Sequence, residues 1–518
     1  MKKTIRRLVV VDVVVIISRD SGSKVTITMI SLSTTAAVRW PLMVLVAAIA
    51  CIALTLAKTG PTHDKVVVCY LSTWAVYRPG KGSYAIDNFD ANLCTHVVYA
   101  FVGLDITQNA IRSLDPWQDL KDNYGKAGFD RINALKKTHP HLKVTLAIGG
   151  WNEGSKNYSI MAADPMRRQS FVEQASSFIR KYNFDGLDLD WEYPTQRGGD
   201  PKDRESFVLL AKDLHNNFRR HNLLLTTAIG ASKAVIDQAY DIKELSKYMD
   251  FLHIMCYDYH GSWDRKVGPN APLEDDGFLS VRFTIEYLME LGCPASKLVV
   301  GLPFYGRTYK TALDGYFGDE SDDSGFQGPF TREDGFLGYN EICPLLSNKT
   351  SGWTKLWDNR TSQAIARMRD ELTGVTKVVA YDSTRSIANK VRFAVQKNLA
   401  GAMVWSVDTD DFLGECEPES DTFTEFGNVK GVKLAIPRRI NTNYPLLRTI
   451  NEGIVLAIEE IDQQNSIEDE KTKHIEHNEI PHGTVDDHKA SHSGALSLTS
   501  LSMSTIILVT YSFVSFIC

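Results

Sequence analysis

The segment Phe184-Asp-Gly-Leu-Asp-Leu-Asp-Trp-Glu-Tyr-Pro194 places Asp185, Asp188, Asp190 and Glu192 within one short stretch. In a β-strand, alternate side chains share a face. Asp188, Asp190 and Glu192 then point one way, and Leu187, Leu189 and Trp191 the other. Three carboxylates on one inward face cost free energy unless they share protons or hydrogen bonds. A solvated acidic face is the plain alternative, but Trp191, Tyr193 and Pro194 do not suit an exposed strand. Crowding offers a proton held on Glu192 by neighbouring negative charge, which makes Glu192 a general acid at working pH.

Such a strand needs a frame that turns it inward. Short β-rich runs recur at Val66–Ser72, Thr95–Phe101, Lys143–Ile148, Gly186–Asp190, Leu223–Ile229, Phe251–Tyr257, Leu298–Phe304 and Gly401–Trp405. Helix-like stretches such as Gln169–Tyr182 and Arg204–His221, apolar at three- and four-residue spacing, lie between them. Strands alternating with helices imply a parallel sheet, and eight such units imply an α/β fold closed as a (β/α)8 TIM barrel. The alternative, an open doubly wound sheet, lacks its glycine fingerprint after the first run. The gap between the seventh and eighth runs is far longer than a normal connection. Residues 308–387, with a strand-like Lys377–Tyr381, read as a small α+β insertion between strands 7 and 8, forming a wall beside the site. The barrel domain as a whole spans about 64–458.

The chain has 518 residues, 43% hydrophobic and 23% charged, with a net charge of −6. That is globular composition with no pull on a polyanion, so nucleic acid is excluded as a partner. Of eight cysteines, none forms a C-x-x-C pair, which argues against structural zinc. Six dispersed ones fit one or two disulfides in an oxidising compartment. Residues 1–57 read as an extension plus the apolar run 41–57, a signal peptide or, alternatively, an uncleaved anchor. Residues 459–493 are polar and acidic, carry five histidines and lack periodicity, which suggests a flexible stalk rather than a metal site. Small residues near 491–495, a spacer and the apolar end of 494–518 form the pattern of a GPI signal, with a membrane span as the alternative. Sequons at Asn157, Asn348 and Asn359 suit a secreted or cell-surface protein.

The D-x-x-D-x-D-x-E pattern of Asp185, Asp188, Asp190 and Glu192 resembles the signature of family-18 glycoside hydrolases, the chitinases, of arthropod type. Cys69-Tyr-Leu-Ser-Thr-Trp-Ala-Val-Tyr-Arg78, Leu146-Ala-Ile-Gly-Gly-Trp151, Gly301-Leu-Pro-Phe-Tyr-Gly-Arg307 and Ala402-Met-Val-Trp-Ser-Val-Asp-Thr-Asp-Asp411 resemble further strands of that family. So does Met255-Cys-Tyr-Asp258, although Cys256 stands where Thr is common. The resemblance implies an endo-acting chitinase that retains configuration without an enzyme nucleophile, because the substrate's N-acetyl oxygen attacks. Glu192 would be acid and then base. Asp190 would turn from Asp188 to the acetamido N–H, and Tyr257 would donate to the acetamido oxygen. Trp405 would floor the distorted sugar, and Asp258, Tyr305 and Arg307 would hold hydroxyls. No metal or cofactor is implied.

Sugar rings stack their C–H faces on aromatics. Tyr70, Trp74, Phe101, Trp151 and Trp263 fall at strand ends or loops on one rim and are the groove candidates, with Phe101 equally suited to a core. Cys69 and Cys94 can meet at neighbouring strands, and Cys343 of the insertion can meet Cys416 after the eighth; the resemblance supports both pairings. Cys256 and Cys293 are expected to be free. The partners implied are chitin and chito-oligosaccharides, with membrane contact only through the tail, and a monomer is expected. A chitin-binding lectin or growth-factor-like protein on the same barrel is the main alternative. Such relatives typically lose the acid that this chain keeps. A glycosidase of host glycans would share the catalytic set but need another groove.

Overall fold

In a computed structural model, the backbone is described at residues 13–19, 25–31, 60–416, 425–429, 432–435 and 442–478, and side chains at 60–416 and 442–467. The chain divides into two compact units, Thr59–Asn478 and a second made of Met1–Lys58 with Glu479–Cys518. In the second unit, Val13–Arg19 pairs antiparallel with Val25–Ser31. The signal-like run 41–57, the GPI-like tail 494–518 and the stalk beyond residue 478 lie outside the described residues. No described helix is long and apolar enough to cross a membrane.

The larger unit is a closed barrel of eight parallel strands: β1 (Val66–Ser72), β2 (His96–Asp105), β3 (Lys143–Gly149), β4 (Gly186–Asp190), β5 (Leu224–Gly230), β6 (Phe251–Met255), β7 (Leu298–Pro303) and β8 (Gly401–Trp405). Each pairs with its chain neighbours, and β8 pairs with β1 to close the ring. All eight runs expected as strands are barrel strands. β4 ends at Asp190 as expected. The largest differences are that β2 runs on to Asp105 and pairs antiparallel with Ala110–Ser113, and that β6 stops at Met255 rather than Tyr257, while other ends shift by one residue.

Period-two patterning builds two cores. On β1, Val67, Cys69 and Leu71 join the layer between strands and helices, while Val68 and Tyr70 fill the lumen with Val98, Ala147, Val299 and Met403. On β4, Leu187 and Leu189 take the outer layer, which leaves the lumen face to the aspartates. The helices that cover the outer layer carry their own start signals. Helix Pro165–Lys181 begins at Asp164, whose side chain accepts from the Met166 and Arg167 amides, with Pro165 in the first turn. It buries Phe171, Val172, Ala175 and Ile179 at helical spacing. Burying Phe171, Val172 and Ile179 contributes about 1.5–3 kcal/mol each, and Ala175 less.

The insertion is an antiparallel sheet in the order Phe336–Gly338, Tyr305–Thr311, Thr376–Tyr381, Gln363–Arg369, Thr354–Asp358, with helix Tyr339–Ser347. It begins at Tyr305 rather than Thr308 and ends at Tyr381 rather than Ile387. The reason for the late boundary is that helix Thr384–Gln396, capped by Ser383, buries Ile387, Ala388, Val391 and Ala394 and belongs to the barrel. The junction carries an ion pair, Lys390 with Asp382, both fully buried, and Gln363 of the insertion also donates to Asp382 at 3.3 Å.

The final helix runs from Pro445 to Asn478. Its first amides, at Leu446 and Leu447, donate to the buried Asp410. It buries Leu446, Leu447, Ile450, Ile454 and Ala457, and Glu460 pairs with Arg392. This corrects the expected stalk: residues 459–478 are helical. Glu, Gln, Lys and Ile are adequate helix formers, and the anchored N-terminal half supplies the nucleus that a polar segment lacks alone.

Two disulfides, Cys69–Cys94 and Cys343–Cys416, have Cα separations of 6.1 and 5.8 Å, and Cys256 and Cys293 are free and buried. Asn157, Asn348 and Asn359 are all exposed. Two outcomes are expected. Lys390→Met leaves Asp382 buried without its cation and should cost about 3–5 kcal/mol in denaturant unfolding. Lys390→Met with Asp382→Leu should recover most of that loss. Thiol labelling of the native protein should miss Cys256 and Cys293, and unfolding without reductant should expose those two among residues 60–416.

Candidate active site

The barrel's carboxylates are held one by one. Asp188 is fully buried and accepts from the Tyr70 hydroxyl at 2.7 Å and the Thr226 hydroxyl at 2.6 Å. His253 Nδ1 lies 2.8 Å from the Tyr70 oxygen and 3.2 Å from Asp188 Oδ1. Because the tyrosine hydrogen is spent on Asp188, Nδ1 is the nitrogen that carries a hydrogen here. Asp190 stands one strand step higher, 4% exposed, and its Oδ1 has no hydrogen-bond partner. Glu192 lies past the strand end and is half-buried. Asp185, the first carboxylate of the pattern, sits at the opposite end, where it accepts from the Val144 amide and pairs with Lys136.

Two glycines let β3 close against β4 here. The Gly150 amide donates to the Asp190 carbonyl at 2.8 Å. A Cβ on Gly149 (φ +117°) would lie 2.1 Å from that carbonyl oxygen, and one on Gly150 (φ +84°) would lie 2.8 Å from the Phe101 ring. Non-proline cis peptides join Ala100 to Phe101, Glu192 to Tyr193 and Trp405 to Ser406.

Burial dominates the electrostatics. It raises Asp190 well above the usual carboxylate range, with Glu192 and then Asp188 adding to the effect. Burial also pushes Glu192 up to about 7, against opposing pulls from Tyr193 and Arg197 and with a smaller push from Asp258. The proton expected on Glu192 is therefore held mainly by desolvation rather than by neighbouring charge, which corrects the cause inferred from the sequence. Tyr257 is likewise raised by burial first and Asp190 second, so its hydroxyl stays a donor.

The rim brings most of the remaining candidates together. Trp74 stacks near Phe101 (6.1 Å, 15°), and Trp405 lies 5.7 Å from Phe101 and 6.2 Å from Trp74. Trp74 is 44%, Trp151 57% and Trp263 56% exposed. Across the site, Asp258 Oδ1 accepts from Tyr305 Oη and Arg307 Nε, each at 2.7 Å. Arg307 also lies 5.2 Å from the Trp263 ring, and Tyr257 meets Tyr305 edge-on at 6.0 Å. Tyr70 is the exception. It is 1% exposed in the lumen, so it holds Asp188 and offers no groove face. His253, Thr226 and Arg197 were missed. His253 shares the odd-numbered inward parity of Met255 and Tyr257 and was legible; Thr226 faces Asp188 only through the β4–β5 register.

A family model for glycosyl hydrolases family 18 matches residues 66–410. The chain is 63% identical over 445 residues to the probable chitinase 2 of Drosophila melanogaster, covering 85% of this chain and 90% of that protein. The crystal structure of Ostrinia furnacalis Group IV chitinase in complex with allosamidin superposes with a TM-score of 0.67 at 38% identity, covering 76% of this chain and all of that one. Human YKL-39, described as a pseudo-chitinase with retained chitooligosaccharide binding, gives a TM-score of 0.64 at 30% identity, covering 75% of this chain and 99% of that one. A barrel with this carboxylate strand, matched over two thirds of its length, is a member of glycosyl hydrolase family 18.

Proposed function

We propose that the protein is an endo-acting chitinase that cleaves β-1,4-linked N-acetylglucosamine polymers with retention of configuration. The observation that carries this reading is the pair of carboxyls at the β4 end: half-buried Glu192, which burial pushes up to about 7, beside buried Asp190, which has an unpartnered oxygen. Glu192 protonates the glycosidic oxygen as that bond breaks. The substrate's acetamido oxygen attacks the anomeric carbon and forms an oxazolinium ion, so no enzyme nucleophile is used. Asp190 accepts the acetamido N–H on its free oxygen and so orients the acetamido group for attack. Tyr257 donates to the acetamido oxygen, and Trp405 floors the ring. Glu192, now ionised, takes a proton from water, which opens the oxazolinium ion from the face that the leaving group vacated.

The groove fits the same reading. Trp74, Trp151 and Trp263 offer exposed ring faces, and the Asp258–Tyr305–Arg307 trio supplies hydroxyl partners at the edge of the insertion. The chitin-binding, non-cutting alternative draws on the likeness to YKL-39. The retained acid speaks against it. Two disulfides and three exposed sequon asparagines support an extracellular place with glycosylation at Asn157, Asn348 and Asn359. Attachment by a GPI anchor is tested by release with phosphatidylinositol-specific phospholipase C.

Two measurements test the chemistry. Glu192→Gln keeps size and hydrogen bonding but removes the transferable proton, so turnover of chito-oligosaccharides should fall by at least the roughly 10²–10⁴ typical of one general acid, while binding persists. A variant that keeps most of its rate would sink the assignment. Because burial raises Glu192, the acid form is present below about pH 7 and is lost as pH rises through that value. The kcat/KM of the wild type should therefore fall on the alkaline side of about 7. A flat profile up to pH 9 would contradict the assigned acid.

A further inference from the structure

One charged side chain at the rim has no part in the mechanism above. Arg197 lies in the loop after β4, in left-handed backbone (φ +50°). Its guanidinium sits over the Trp151 ring, 3.6 Å from the centroid. Its Nη1 donates to the Trp151 carbonyl at 2.7 Å and to the Glu192 carbonyl at 3.0 Å. A single side chain thus touches the face of the exposed indole, that residue's backbone and the backbone of the acid. The two loops are joined again by Ser155, whose hydroxyl donates to the Tyr193 carbonyl at 2.7 Å and accepts from the Trp191 indole at 3.0 Å.

We propose that Arg197 is a positioning residue that locks the Trp151 platform to the backbone of Glu192, so that a sugar seated on Trp151 is held in register with the bond to be protonated. This rests on the chitinase reading above. With one indole face taken by the guanidinium, the opposite face is left for a sugar ring, and the indole no longer swings freely in solvent. Arg suits this place better than Lys, because a planar fork can stack and donate to two carbonyls at once. The same group is the cation facing the acid. Glu192 also faces Asp190, with Asp188 behind it on β4, as well as Tyr193, Tyr257 and Asp258 beyond β6, and Tyr240 beyond β5. Arg197 opposes the burial that raises Glu192.

The test compares Arg197→Ala, Arg197→Lys and Glu192→Gln with the wild type, in the full chain, by kcat and KM on a long chito-oligosaccharide across pH. Arg197→Ala should raise KM about 2–5-fold, the equivalent of one exposed cation–π contact, with a smaller change in kcat. It should also move the alkaline limb of kcat/KM to higher pH, a shift that general loosening of the loop would not produce. Arg197→Lys keeps the charge and loses the stacked fork, so its limb should stay near that of the wild type while KM rises. If Arg197→Ala folds poorly, the Lys variant decides alone. An Ala or Lys variant with wild-type KM overturns the lock even if Glu192→Gln is inactive, and leaves the acid assignment standing. A Glu192→Gln variant that still turns over overturns the acid assignment and this proposal with it.

Discussion

The burial of carboxyl groups inside a closed barrel is the constraint on which the rest of the structure depends. An ionised carboxylate taken out of water is costly, and a protonated or hydrogen-bonded one is much less so. The chain meets the constraint differently at each step along β4. At the bottom, Asp188 is surrounded by donors from Tyr70, Thr226 and His253. One step higher, Asp190 has no donor at its Oδ1 and is pushed toward its neutral form. At the mouth, Glu192 is shielded enough to be raised to about 7 while remaining open to solvent on one side. The order runs from fully satisfied to unsatisfied to accessible, and the unsatisfied oxygen points to what a substrate must bring.

Everything around that strand serves to hold the gradient. Period-two alternation sends Leu187, Leu189 and Trp191 outward, where Trp191 meets Phe207 at 5.6 Å and donates to Ser155. The strand cannot slip by one residue without exchanging this apolar face for the acidic one. The Gly149–Gly150 pair lets β3 approach the Asp190 carbonyl more closely than any side chain would permit. The insertion contributes Tyr305 and Arg307 from its first strand and is tied back by the Asp382–Lys390 pair and the Cys343–Cys416 disulfide. The rim aromatics stay exposed because each rests on another group: Trp74 on Phe101, Trp151 under Arg197, and Trp263 beside Arg307.

Much of this was legible in the residues. Eight short β-rich runs and the helices between them carried the barrel, and alternation alone turned Asp188 and Asp190 inward. What was not legible depends on distances that sequence does not encode. Tyr70 looked like one more groove aromatic, because neither its type nor its place on β1 reveals a hydroxyl that ends on Asp188. The sixth strand was overrun to Tyr257, and alternation was carried past the end of the fourth to Glu192, since a pattern of period two does not say where pairing stops. The helix that continues to Asn478 was hidden by its polar composition; its stability comes from Asp410, Glu460 and the apolar half that packs on the barrel. The cause of the raised Glu192 was misjudged for a related reason. Charge is visible in a sequence, whereas desolvation is a property of the assembled site.

That last point can be measured directly. Isotope-edited infrared difference spectra, taken on protein labelled with 13C-carboxyl glutamate and referenced to Glu192→Gln, isolate the carboxyl stretch of Glu192 during a pH titration. Burial as the dominant cause gives a protonated band that converts to carboxylate with a midpoint near 7. A midpoint near the ordinary glutamate value of about 4.3 would mean that Glu192 is solvated and ionised at neutral pH, and would contradict the role assigned to it.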